Sequence, residues 1–387
     1  MRKLIITLFT LVLCLGLFPT YAKTPTLDIN ITSNNAFVID ITDHQILYDK
    51  KSEERIYPAS MTKMMTAIVA IENISDLNEK TFITQPMIEG LVEADASMAG
   101  FRAGDVVSAT DLLYGLALPS GADACNALAI KIAGSIEEYV KLMNEKAKAL
   151  GMNNTNFMNT TGLHDDNHYT TCRDIATLLE YCIQNETFQK VFSTVYHTTE
   201  PTTLFPEGIE LHSSSLYYIQ EAEINIPGLI GGKTGYTGPA GRSLASWAEL
   251  NDMKIITVVA QGMSDEPCNI FDTKIVLDSL NNWSKKTLLR EGEILKEVFI
   301  EHRYAKDKIV VASGDTIIMD LPNDANIVRE LDIVSNIESS LEPVTFSSPF
   351  TIKVNDEVIY EKFINITVPK EKSFFARLIK RIKNIFS

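Results

Sequence analysis

Pro58-Ala59-Ser60-Met61-Thr62-Lys63 runs into Met64, Met65, Ala67, Ile68, Val69, Ala70 and Ile71. The residues after Lys63 are helix formers and almost wholly apolar, and a helix that is apolar on every side is a buried one. Pro58 suits a helix entrance, where no backbone donor is lost. Ser60 is therefore expected at the mouth of a core helix. Lys63 follows one turn on and on the same face, because residues three apart are helical neighbours. A lysine there is partly desolvated, which lowers its pKa. It can then take the serine proton and give an activated nucleophile without a histidine. Serine and lysine are common, however, and S-x-x-K arises by chance about once or twice in a chain of this length.

Two later stretches bear on that reading. An apolar helix expected over 111–118 is broken at Pro119, and Ser120-Gly121-Ala122-Asp123 follows at once, before a second apolar helix over 124–133. A serine in a short loop between two buried helices points its hydroxyl into whatever lies between them. On stability grounds alone, Ser120 and Asp123 read as helix caps. The other stretch is Gly231-Gly232-Lys233-Thr234-Gly235-Tyr236-Thr237, expected on a strand beside a hairpin that turns around 238–241. Lys233 and Thr234 offer a cation and a hydroxyl, a pair suited to a carboxylate. Gly235 removes a side chain where a substrate backbone could approach the sheet.

In their order and spacing, S-x-x-K, the serine loop and K-T-G resemble the motif set of the penicillin-binding and active-site-serine β-lactamase superfamily. The chain is most similar to the low-molecular-mass penicillin-binding proteins of the serine-type D-alanyl-D-alanine carboxypeptidase family. Tyr57 to Thr66, Leu118-Pro119-Ser120-Gly121 and Gly231 to Gly235 carry the likeness, together with Asn156-Phe157 and Gly162-Leu163-His164. It extends over residues 28–285. The resemblance implies an α+β fold: a β-lactamase/transpeptidase-like catalytic domain over 23–285, with an antiparallel sheet and a helical cluster, then a small β-sandwich domain over 290–369. It also implies an acyl-enzyme on Ser60, with Lys63 as base and Ser120 passing the proton to the leaving amine. Lys233 and Thr234 would hold the terminal carboxylate beside Gly235, and the backbone donors of Ser60 and Tyr236 would form the oxyanion hole. The implied substrate is the peptidoglycan stem pentapeptide, β-lactams are the implied covalent inhibitors, and neither a metal nor an organic cofactor is called for. Two departures stand out. Ala122 occupies the third position of the second motif, where the family usually carries asparagine. Cys268-Asn269-Ile270 occupies the place of an arginine that often contacts the substrate carboxylate.

The rest of the chain sets the context. At 387 residues it is long enough for two domains, and 45% hydrophobic residues rule out a disordered chain. A net charge of -15 argues against a general affinity for nucleic acid. Of the five cysteines, Cys172 and Cys182 fall on one expected helix, opened by Thr171 with Asp174 at the capping-box position, and about 15 Å apart, too far for a disulfide. Cys125, Cys172, Cys182 and Cys268 read as free buried thiols. His164 and His168 could serve as bases or ligands, but with no partner in view they read as surface or loop-bracing residues. Residues 1–22 read as a secretory signal, with Arg2 and Lys3 ahead of an apolar run over 4–18. Residues 285–292 read as a charged joint. From 293 to 368 short, turn-punctuated strands alternate.

Residues 370–387 form a basic amphipathic segment. Phe374, Phe375, Leu378, Ile379, Ile382, Ile385 and Phe386 share one helical face, and Arg377, Lys380, Arg381 and Lys383 lie opposite. Such a helix, far too short to span, should lie in a membrane interface through residues 372–387. It would hold the protein on the outer face of the cytoplasmic membrane. Two competing readings remain at this point. A class A β-lactamase would need a deacylating glutamate between the second and third motifs, and no convincing E-x-x-x-N stands there. A non-catalytic wall-binding homologue is motivated by Ala122 alone.

Overall fold

The computed structural model describes residues 9–13, 21–22, 24–264, 266–302, 305–338, 342–368 and 370. The chain divides into two compact units, one spanning Thr26–Trp283 and the other combining Met1–Pro25 with Ser284–Ser387.

The first unit is built on a five-stranded antiparallel sheet. Its strands are β1 (Asn35–Asp40), β2 (Gln45–Lys50), β3 (Leu229–Thr237), β4 (Gly241–Leu250) and β5 (Met253–Gly262), in the spatial order β2-β1-β5-β4-β3. The K-T-G strand β3 is thus an edge. The β4–β5 turn is made by Asn251 and Asp252, both at positive φ (52° and 65°). That is the conformation a two-residue hairpin turn requires, and asparagine and aspartate tolerate it. Across that turn Leu250 lies opposite Met253, and on the other side of β4 Ser243 lies opposite Gly235 of β3.

Helices pack on the sheet and on one another. They include α1 (Thr62–Asn73), α2 (Ala109–Ala117), α3 (Ala122–Ala133), α4 (Ile136–Ala149), α5 (Cys172–Cys182) and α6 (Cys268–Leu280). Helix α1 is buried without a break from Thr62 to Ala70. Each large apolar side chain it hides contributes about 1.5–3 kcal/mol, so this helix is a principal source of core stability. Ser108, Ser135 and Thr171 cap α2, α4 and α5, each hydroxyl accepting a backbone N–H three residues on. The Thr171–Asp174 start is the one expected from sequence. Cys125, Cys172, Cys182 and Cys268 are free and buried.

In the second unit, Trp283–Leu289 pairs with Ile317–Pro322. Of the 285–292 stretch expected as a charged joint, 285–289 are therefore strand and 291–292 make a turn after it. Lys285 and Lys286 precede Leu288 and Leu289, which are buried in the unit's core. The strand's buried residues stand at its two ends, Trp283 at one and Leu288 and Leu289 at the other, with Ser284, Lys285 and Lys286 half-buried between them. Two four-stranded sheets supply the rest. One contains Ile294–His302 and Ala305–Ala312, the other Val344–Val354 and Glu357–Val368. Val298 and Ile300 of the first sheet share one core with Ile352, Ile364 and Ile366 of the second. Along the last strand Ile364, Ile366 and Val368 are buried while Asn365 and Thr367 are exposed, the alternation of a sheet with one wet face. Of the run read as a secretory signal, Phe9–Leu13 pairs with Lys308–Ala312 and Tyr21–Ala22 with Tyr360 and Glu361. Its other residues, and the amphipathic segment from 371 onward, lie outside the described residues. Among the described residues no helix is long and apolar enough to cross a membrane.

Candidate active site

Ser60 sits in a short 3-10 turn, Ala59–Met61, that feeds directly into α1. The turn is strained. Ala59 has φ 46°, a region that side chains rarely occupy. Two glycines hold it in place. A Cβ on Gly235 of β3 would lie 2.9 Å from the Pro58 carbonyl oxygen, and one on Gly162 would lie 1.9 Å from that of Ala59. The strand edge and the 159–163 loop can approach this close only because both positions lack a side chain.

Lys63 is buried, 2% exposed. Its Nζ donates to Ser60 Oγ at 3.0 Å and to the Thr161 carbonyl at 2.5 Å. Burial holds its pKa below the ordinary lysine value, although the Asp123 carboxylate pulls the other way. Lowering the pKa enlarges the neutral fraction, the form that can accept a proton. The predicted pair is thus assembled at hydrogen-bond distance.

The Thr161 carbonyl is a participant that the sequence did not single out. Asn159 makes the loop that presents it. Its Oδ1 accepts the N–H groups of Thr161 and Gly162, and its Nδ2 donates to the Leu163 carbonyl. Thr160 anchors the loop to α1 and α3, its carbonyl accepting Thr66 Oγ1 and its hydroxyl donating to Asn126 Oδ1. The N-x-x-G turn signal was visible in the sequence, but its target was not. His168 braces the same region from within. Its Nδ1 accepts the Met158 N–H, so its proton is on Nε2, which meets Thr62 Oγ1 at 2.7 Å. Burial lowers its pKa to about 4, keeping the ring neutral. His168 is thus a buried brace rather than a base. His164 lies edge-on to Tyr57 and 3.5 Å from Asp166.

The second motif departs from the cap reading. Helix α3 is capped by Gly121, not Ser120. Ser120 takes φ 64°, and its buried hydroxyl has no hydrogen-bond partner among the described residues. A helix cap would have used that oxygen. Nor does Ser120 bond Lys63, so the expected proton relay is not closed in the unliganded protein. Asp123 accepts the backbone N–H groups of Ala99, Gly100 and Phe101 at 2.8, 2.9 and 3.0 Å. It braces that neighbouring strip of chain and has no amide to put in place of the one Ala122 lacks, while Asn126 Oδ1 accepts the Thr160 hydroxyl.

Across the cleft, Lys233 is 1% exposed and donates to the Thr234 carbonyl at 3.2 Å. Its pKa is lowered to about 7, first by burial and then by the nearby Lys63. Thr234 Oγ1 lies 2.6 Å from Ser214 Oγ. Tyr236 is 63% exposed, with the Arg242 guanidinium 5.3 Å from its ring centre. Asn269, within the stretch that takes the place of the family's frequent arginine, is buried and donates to the Ser243 carbonyl. It is structural. The arrangement brings a nucleophile, a buried amine of lowered pKa, an orphan hydroxyl and a second buried amine around one strand edge. That is the equipment for acyl transfer from a carboxylate-bearing substrate.

Comparison with known proteins agrees in chemistry and extent. Residues 20–264 match the family model described as D-alanyl-D-alanine carboxypeptidase. The chain is 27% identical over 390 residues to the D-alanyl-D-alanine carboxypeptidase DacF of Bacillus subtilis, covering 98% of each protein. It is 31% identical over 251 residues to DacC of Escherichia coli, covering 59% of this chain and 56% of that one. Among solved structures, the Streptomyces K15 DD-transpeptidase superposes with a TM-score of 0.60 at 27% identity, covering 66% of this chain and 98% of that one. DacD of Francisella tularensis reaches a TM-score of 0.68 at 24% identity, over 89% and 95% of the two chains, a likeness of fold.

Proposed function

This chain belongs to the D-alanyl-D-alanine carboxypeptidase family of serine peptidases, and from that membership we propose how its residues divide the reaction. The protein is a serine-type D-alanyl-D-alanine carboxypeptidase, and its fold implies covalent binding of β-lactams. In our reading, neutral Lys63 takes the Ser60 proton as Oγ attacks the carbonyl between the two terminal D-alanines of a stem peptide. The C–N bond breaks as Ser120 passes its proton to the leaving amine and takes back the one held by Lys63, and free D-alanine departs. Backbone N–H groups of Ser60 and Tyr236 stabilise the oxyanion. Lys233 and Thr234 hold the carboxylate beside Gly235. Water then releases the shortened peptide from Ser60. The observation that carries this reading is the 3.0 Å contact between Lys63 Nζ and Ser60 Oγ in a buried setting.

The test is mass spectrometry after penicillin treatment of wild type and Ser60→Ala, with D-alanine release from a stem pentapeptide followed in parallel. We expect an adduct and release in wild type, and neither in Ser60→Ala. An adduct without release would mean that Ala122 has shifted the substrate or stalled deacylation. No adduct would overturn the catalytic reading.

The same proposal extends to place. The positive start and apolar run of residues 1–22 support secretion, and the basic amphipathic pattern of 372–387 supports a peripheral anchor. The enzyme would then work on the outer face of the membrane, within reach of peptidoglycan.

A further inference from the structure

Ser213-Ser214-Ser215 is a short run whose three side chains part company. Ser213 and Ser215 are buried, and Ser213 Oγ accepts the Leu216 N–H. Ser214 alone is exposed. Its backbone N–H donates to the Leu118 carbonyl, two residues before Ser120, at 3.0 Å. Its hydroxyl meets Thr234 Oγ1, on the K-T-G strand, at 2.6 Å. Ser214 therefore bridges the second and third motifs from an exposed position.

We propose that Ser214 is a ligand of the substrate's terminal carboxylate, forming with Thr234 a two-hydroxyl seat for that group. This rests on the carboxypeptidase reading above. In the free protein one of the two hydroxyls spends its proton on the other, because each carries a single donor. A carboxylate accepts both. The mutual bond opens and two charge-assisted bonds replace it, each stronger than the neutral bond given up. The buried Lys233, bonded to the Thr234 carbonyl, supplies positive charge beneath the seat. Asn269 is turned away toward Ser243, so it leaves this work to the hydroxyls. Ser214 recognises charge and takes no part in bond making.

The experiment compares wild type, Ser214→Ala and Ser214→Thr on a D-Ala-D-Ala peptide with a free carboxyl end and on the same peptide as its terminal amide. Acylation by benzylpenicillin and by its methyl ester is measured alongside. Ser214→Ala should lower kcat/KM for the free acid about tenfold, chiefly through KM, the worth of one hydrogen bond to a charged group. The amide and the ester should change less than twofold. Ser214→Thr, which keeps the hydroxyl, should recover most of the loss. An equal loss on acid and amide would reduce Ser214 to a brace between Leu118 and β3, and no loss on either would dismiss it altogether. Should wild type release no D-alanine, the carboxypeptidase reading fails, while the benzylpenicillin pair still decides whether Ser214 reads the carboxylate.

Discussion

Lys233 illustrates how burial sets a charge to a task. With a pKa of about 7 it is only partly protonated at neutral pH, yet a carboxylate beside it favours the ammonium form. Binding of an anionic ligand should therefore be strongest below pH 7 and weaken as pH rises beyond it. Lys233→Arg, whose charge persists at all these values, should flatten that fall. The dissociation constant of the non-covalent benzylpenicillin complex, taken from the concentration dependence of acylation between pH 6 and 9, is the measurement. A wild-type constant flat across this range would contradict the assignment. The effect on stability has the opposite sign. Between about pH 7 and the ordinary lysine value of 10.5 the unfolded chain holds more protons, so this lysine's contribution to stability rises with pH across that window.

At the scale of elements, the site depends on three pieces that meet at one strained turn. The 3-10 turn that feeds α1 carries Ser60 and α1 carries Lys63, β3 comes up to the Pro58 carbonyl, and the 159–163 loop comes up to the Ala59 carbonyl. The loop contact is the tighter. Gly162 has φ 82° and no room for a Cβ, whereas Gly90, at φ 75°, has open space around it. Gly162→Ala should therefore cost about 2–4 kcal/mol, combining backbone strain with collision. Gly90→Ala should cost only about 1 kcal/mol, the strain alone. Denaturant unfolding of both variants separates the two terms. Penicillin acylation should fall only in Gly162→Ala, since moving the loop displaces both the Ala59 turn and the carbonyl that positions Lys63. Comparable losses from the two substitutions would show that the close approach carries no weight.

At the scale of the molecule, the residues assigned to catalysis all lie within Thr26–Trp283. The proposed anchor is separable on the same view. Deleting residues 372–387 should move the protein from the membrane fraction to the soluble one while leaving penicillin acylation of the solubilised enzyme unchanged. Unaltered fractionation would refute the anchor. What the sequence alone determined was whatever depends on neighbours along the chain. The burial of α1, the S-x-x-K spacing, the Thr171 cap and the K-T-G strand all follow from local periodicity and turn chemistry. The strand over 283–289 escaped notice because polar residues, two lysines among them, separate its buried ends, so no apolar alternation marks it along the chain. Tertiary structure alone decided the long-range partners. Thr161 is 98 positions from the Lys63 it holds, and Ser214 is 20 from Thr234. Asp123 and Ser120 read as caps because local rules favour them as caps. Packing sent one to the Ala99–Phe101 backbone and left the other's hydroxyl without a partner among the described residues. A buried polar group takes whichever partner the fold brings to it, and spacing along the chain cannot say which that is.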